Sequence, residues 1–202
     1  MSTPVSEKRG EAKRAAVIAA AAAAFVTRGY EAASMDSIAA EARVSKRTVY
    51  NHFPSKRILF RAVIEQLYAG LLEAGELLPS ADEAPETALP RLASALLRHL
   101  RRPEVRGLLR LVIAEHHRFP ELADEFQSVG KGPAVGLVAQ YMSAQNERGS
   151  LAIPDPLLAA QQFLGAVKES LFWPALIGVS VSGDEDAVIR AAVNMILRTY
   201  GR

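Results

Sequence analysis

The chain has 202 residues, half of them hydrophobic and 23% charged, enough for one sizeable domain or two small ones sharing a core. Cysteine is absent, which excludes disulfides and thiolate metal sites and fits a reducing cytoplasm. The net charge of +2 hides a split: residues 1–60 hold ten Lys or Arg against five Asp or Glu, and residues 61–202 hold fourteen against seventeen, so positive charge gathers in the part of the chain that would meet a polyanion.

Residues 1 to about 7 read as a disordered tail, followed by Lys8, Arg9, Lys13 and Arg14 as a basic arm able to reach phosphates. The apolar run at 15–26 is too short to span a bilayer. With the basic residues before it, the run imitates a secretory leader. Alanine, however, is only weakly hydrophobic and is the best helix former, so the run reads as a first helix with Val17, Ile18, Ala21 and Phe25 on its buried stripe and Gly29 as its stop.

The stretch SMDSIAAEARVSKRTVYNHFPSK, residues 34–56, carries two capping signals across a tight turn. Ser34 caps a second helix to about Ala42, with Asp36 in its first turn and Ile38, Ala39 and Ala42 inward. After Arg43 and Val44, Ser45 caps a third helix from Lys46 to about His52, and Pro54 stops it. This is the helix-turn-helix plan, whose second helix enters the DNA major groove. At about 100° per residue, Val49 and Phe53 share one face and join Phe25, Tyr30, Met35, Ile38 and Val44 in a small three-helix core. Arg47 and Asn51 lie opposite, flanked by Thr48 and Tyr50, with Lys46 and His52 at the edges. Arginine pairs bidentately with guanine and asparagine with adenine, whereas Tyr, Thr, His and Lys commonly hold phosphates. Ser55 caps the next helix, whose first residue Lys56 adds charge to a terminus that attracts phosphate. By itself such a short charged helix also fits a merely solvated face.

From Ala12 to Phe60 the chain resembles the DNA-binding domain of the TetR family of transcriptional regulators. The resemblance is carried by the Ala-rich first helix ending FVTRGYEAASM and by DSIAAEARVSKRTVYNHFPSKRILF, within which TVYNHFPSK is highly specific. It implies that Ser34, Lys46, Arg47, Thr48, Tyr50, Asn51, His52 and Lys56 touch DNA, and Ser45, at the start of the same helix as Lys46, completes the candidate DNA-binding set.

A fourth helix is expected from Lys56 to about Leu78, with Leu59, Val63, Leu67, Leu71, Ala74 and Leu78 at steps of three or four. At about 1.5 Å per residue it reaches roughly 30 Å, enough to link a DNA-binding head to a second domain. Residues 79–85 are linker-like. Thr87 caps a fifth helix to Arg101, with Pro90 in its first turn, and Pro103 opens a sixth carrying Leu108, Leu109, Val112 and Ile113. Glu115, His116 and His117 suggest metal ligands, but adjacent helical residues diverge by about 100° and Pro120 breaks the spacing to Glu121, so polar residues at a helix end or pocket wall fit better. A seventh helix at about 133–145 directs Val138, Tyr141 and Met142 inward. Asp155 and Pro156 open an eighth that Pro174 kinks or ends. Ser182 and Glu185 stand at capping-box spacing before a ninth, which carries Val188, Ala192, Met195 and Ile196.

The segment from Ile113 to Gly178 resembles the effector domain of the AefR-like branch of TetR regulators, through IAEHHRFPELADEF, the break at Gly130 and Gly132, and DPLLAAQQFLGAV. The Trp173 and Pro174 pair stands outside that pattern. The expected fold is all-α with about nine helices, divided into a helix-turn-helix DNA-binding domain at 8–55 and a helical ligand-binding and dimerisation domain at 56–202. No nucleophile elbow, Walker loop, dinucleotide fingerprint or HExxH run occurs, so no enzyme, cofactor or metal site is expected.

Helix faces supply DNA binding; the resemblance adds a cytoplasmic homodimeric repressor of a near-palindromic operator, released by a small hydrophobic effector, with no membrane partner. The alternatives are an activator of the same fold, a sequence-independent architectural DNA-binding protein, and an enzyme or carrier that merely uses the helical pocket. Candidate pocket walls are Leu67, Leu71, Leu96, Leu109 and Val112, with Phe126, Phe163 and Val167, while His116 and Tyr141 could orient a polar end. The same residues would also make a filled core. The dimer is expected through residues 156–173 and 184–200, with Phe163 and Ala192 at the interface.

Overall fold

The structure is a computed structural model that describes residues 4–73 and 79–202. Its helices are α1 (Pro4–Ala32), α2 (Met35–Glu41), α3 (Lys46–His52), α4 (Lys56–Glu73), α5 (Pro85–Arg101), α6 (Pro103–Glu115) and α7 (Glu121–Phe126). A π-helical turn at Gln127–Lys131 leads into α8 (Gly132–Glu147), followed by α9 (Pro156–Leu171), α10 (Trp173–Leu176) and α11 (Glu185–Tyr200). The fold is all-α; among the described residues the sole extended pairing is an isolated bridge between Leu151 and Gly201.

Several boundaries differ from those read in the sequence. Helix α1 starts at Pro4, so Lys8, Arg9, Lys13 and Arg14 project from a helix and not from a loose arm; it breaks at Gly29, whose φ of 84° suits only glycine. The expected α4 residues Ala74 and Leu78 lie outside the described residues. In α5 it is Pro85, not Pro90, that occupies the first turn, and Pro90 lies inside the helix, where it offers no N–H to the Glu86 carbonyl. The cap of α11 is Asp184, whose carboxylate accepts from the Asp186 amide at 3.0 Å, and not Ser182; three acidic residues then face the positive end of that helix. Short helices α7 and α10 and the π turn are additions.

Packing divides the chain into two compact units, Met1–Tyr68 with Pro103–Gly130, and Ala69–Arg102 with Lys131–Arg202. In the first unit the rings of Phe25, Tyr30 and Phe60 meet at 5.5–5.6 Å, and Phe119 joins Tyr30 at 5.0 Å. Ile38, Val49 and Phe53 are buried where α1, α2 and α3 pack together, while Val44 is only half-buried. Two glycines set how closely helices approach here. A Cβ on Gly107 of α6 would lie 2.6 Å from Val26 Cγ1 on α1, and one on Gly130 would lie 2.9 Å from Ile64 and Tyr68 on α4. The buried Glu125 carboxylate of α7 accepts from Arg57 at 2.7 Å and Arg61 at 3.1 Å, both on α4.

In the second unit α8 and α11 pack on α9, and α5 packs on both α9 and α11. Leu89, Leu92, Leu97, Leu164 and Val167 are buried there. Phe163 and Ala192, expected at a dimer interface, are 0% and 4% exposed within this unit: they belong to its own core. The outward faces of α9 and α11 carry Leu158 and Met195, 49% and 45% exposed. Residues 81–83 are fastened to α8, because Tyr141 donates to the Glu83 carbonyl at 2.7 Å and Gln145 donates to Ala81 at 2.8 Å.

Candidate nucleic-acid interface

The turn between α2 and α3 is built from two local devices. At the end of α2, Val44 N–H donates to the Ala39 carbonyl and Arg43 N–H to Ala40, the six-to-one and five-to-two bonds of a Schellman ending. Its left-handed position is held by Arg43 with φ 54°, where glycine is usual. Ser45 then starts α3: its Oγ accepts from the Thr48 amide at 3.1 Å and lies 2.8 Å from the Thr48 hydroxyl. Ser34 caps α2 in the same way, accepting from the Ser37 amide at 3.1 Å, so both serine side chains are already engaged as caps.

Helix α3 is two-faced. Val49 and Phe53 are 0% and 1% exposed, whereas Arg47 and Asn51 are exposed and Tyr50 is 48% exposed. Thr48 and His52 are half-buried at the flanks. Arg14 of α1 lies 5.5 Å over the Phe53 ring, which fixes a guanidinium beside the end of α3. Lys46 forms a 2.5 Å ion pair with Asp36, and that bond holds its ammonium above the usual lysine range; a phosphate at Lys46 would compete with Asp36. The arrangement brings together a guanidinium, an amide and a phenol on one solvated face, the donor set that reads base edges and holds phosphates.

Lys56 behaves differently from the others. Its ammonium donates to the carbonyls of Tyr30 at 2.8 Å and Glu31 at 3.1 Å and sits 4.5 Å over the Tyr30 ring. Burial pushes its pKa down, against the pull of Glu31 and Glu115. The side chain therefore ties the start of α4 to the end of α1. Tyr30 itself is pushed up to about 12 by burial and then by Glu121, so its phenol stays neutral. Ser55 Oγ accepts from the Ile58 amide at 3.3 Å, capping α4. Phe119 and Arg118, which pairs with Glu31, support the same corner from beyond α6, and no sequence signal near residue 30 pointed to them.

The effector candidates are dispersed. In the first unit Leu67, Val112 and Phe126 are buried, Leu109 is half-buried and His116 is exposed. In the second, Leu96, Phe163 and Val167 are buried. Leu71 lines a cleft of about 180 Å³ with Gly70, Ala95, Arg98, His99 and Arg102, and Tyr141 lines one of about 170 Å³ with Pro79, Ala81, Leu137, Gln140 and Ala144. A larger cleft, about 410 Å³, lies where Pro156 and Leu157 open α9 against Ala139, Ser143 and Glu147 of α8. Among the described residues no helix is long and apolar enough to cross a membrane.

Residues 17–63 match the model of bacterial regulatory proteins of the tetR family, and residues 87–202 match that of the C-terminal domain of AefR-like transcriptional repressors. A solved TetR-family transcriptional regulator from Mesorhizobium loti is 30% identical, with a TM-score of 0.80, over 96% of this chain and 99% of that one. The flavonoid-responsive regulator FrrA is 31% identical, with a TM-score of 0.79, over 94% and 97%. The transcriptional activator FasR of Mycolicibacterium smegmatis is 46% identical over 63 residues, and those residues span 31% of this chain and 26% of that protein. The repressor TetR of Mycobacteroides abscessus is 40% identical over 57 residues, spanning 28% of this chain and 30% of that protein.

Proposed function

Because the chain belongs to the TetR family of DNA-binding transcriptional regulators, we propose that it is a homodimeric repressor that grips a near-palindromic operator through α3 and releases it when a small, largely apolar effector binds. The family and the fold are those of regulators and not of enzymes. The observation that carries the reading is the division of α3 between a buried face, Val49 and Phe53, and a solvated face bearing Arg47, Tyr50 and Asn51. Residues 8–55 then hold DNA, and residues 56–202 serve effector and dimer. Acting on the chromosome places the protein in the cytoplasm. Repression is preferred to activation because the matching C-terminal model is that of AefR-like repressors.

A two-fold dimer presents its recognition helices to half-sites about 34–36 Å apart, or a multiple of that. The exposed Leu158 and Met195 on the outer faces of α9 and α11 support pairing with a second copy through these helices. The flavonoid response of FrrA supports an aromatic effector, and the clefts at Leu71 and Tyr141 are its candidate seats.

An operator is obtained by selection from random duplexes, and Arg47→Ala is then compared on that operator and on random DNA. The variant loses about 1–3 kcal/mol on the operator, concentrated at one base position. Equal losses on both duplexes remove the base-reading role, and a flat selection profile replaces the repressor with an architectural protein. For the effector, a flavonoid panel is titrated with and without operator. Coupling of about 1–3 kcal/mol means reciprocal affinity changes of about 5–150-fold; identical constants remove the effector limb.

A further inference from the structure

We propose that the segment joining α9 to α11, residues 172–183, is an arm that packs against the same arm of a second copy of the chain, with Trp173 and Ile177 as its principal contacts. The proposal rests on the dimer reading above. Its first support is exposure: Trp173 is 40%, Ile177 76% and Val179 54% exposed, three large apolar side chains within one short segment. Trp173 opens α10 and Ile177 caps it four residues later, and large apolar side chains exposed together in this way mark an interaction surface.

The display is ordered. Phe172 and Leu176 are 2% and 3% exposed and anchor α10 from beneath. Its end is closed by Val179 N–H donating to the Pro174 carbonyl at 2.8 Å and Gly178 N–H to Ala175 at 3.3 Å, with Gly178 at φ +88°. That is a Schellman ending, and it holds Ile177 and Val179 outward without ordering at the moment of contact, which lowers the entropy cost of association.

Charge decides the partner. The fourteen residues from Ser170 to Gly183 contain no Lys, Arg, Asp or Glu, although the stretch is largely exposed. In a two-fold interface each group near the axis faces its own image, so any charge there would meet a like charge. An uncharged apolar arm avoids that repulsion, whereas it offers an acidic or basic partner nothing to select. The arm also connects in the chain the two helices whose outer faces bear Leu158 and Met195, so it extends the same proposed surface.

Trp173 is the single tryptophan of the chain, which makes its fluorescence a report on this arm alone. The full chain is diluted in steps while sedimentation velocity gives the mass and acrylamide quenching gives the indole's exposure. The expected result is a quench-protected, blue-shifted indole in the dimer that becomes red-shifted and quenchable over the same concentrations at which the mass halves. Ile177→Ser and Val179→Ser, both at exposed positions and checked for fold by circular dichroism, raise the dimer dissociation constant, Ile177→Ser by about tenfold. A dimer that dissociates with no change at the indole, or unchanged dissociation constants in both variants, overturns the arm and leaves the dimer standing. A wild-type chain that stays monomeric, alone and on operator DNA, takes down the dimer reading and the arm with it.

Discussion

In α3 the side chains that bear chemistry stand in solvent, while in α9 the effector candidates Phe163 and Val167 are fully buried. The contrast separates two ways of placing function on a helix. On α3 the fold is held by Val49 and Phe53 and the recognition face lies opposite, so either can change without the other. On α9 the candidate atoms are the packing itself, and altering them alters the second unit's core.

The largest effect expected from this contrast is on stability. Phe163→Ala costs about 3–5 kcal/mol in denaturant melts, whereas Arg47→Ala stays within about 0.5 kcal/mol of the parent. A Phe163→Ala protein of parental stability would show that α9 is not core and break the comparison.

The next effect lies in pH. His99 of α5 is 5% exposed, and burial, then Arg102, pushes its pKa down to about 4 from 6.5. The folded state thus binds the proton less well than the unfolded chain, so this contribution is present above pH 6.5 and is lost as pH falls towards 4. The loss is about 2–3 kcal/mol, read from melts across that window. His99→Leu flattens the dependence, and an unchanged slope in that variant would relocate the acid sensitivity elsewhere.

Lys56 sharpens the comparison on the DNA side. Lys56→Met gives up two bonds to backbone carbonyls and a ring contact, expected to cost about 1–2 kcal/mol in thermal unfolding. The salt dependence of DNA binding should remain parental. A fall of about one in the salt slope would instead return Lys56 to the phosphate-holding role expected from its sequence position. The smallest effect is at Arg43, whose left-handed backbone is better suited to glycine. Arg43→Gly raises stability by no more than about 1 kcal/mol, measured as a small rise in Tm.

The same contrast explains what the residues disclosed on their own. Helices α2 and α3 were legible because Ser34 and Ser45 announce their starts and because Val49 and Phe53 repeat at helical spacing, all within one short stretch. The role of Lys56 was not, since its carbonyl partners come from 25 and 26 residues earlier. The contact of α6 with α1 had one local sign, Gly107 in mid-helix, but its partner Val26 could not be named without the fold. Helix α7 is six residues after a proline, half of them acidic, too short for periodicity to register. For Phe163 and Ala192 the pattern showed burial but not against which surface, because an apolar residue facing its own core and one facing another chain have the same spacing.

Glu125 constrains how α4 can move against α7. Its carboxylate serves Arg57 and Arg61, which stand four residues apart on the same face of α4. Sliding α4 along its axis by about one turn, 5.4 Å, brings one guanidinium to the place of the other and keeps one of the two bonds. Turning α4 about its axis carries both away together and leaves a buried carboxylate unmatched. The pair therefore acts as a keyway: it permits travel along the helix axis and resists torque.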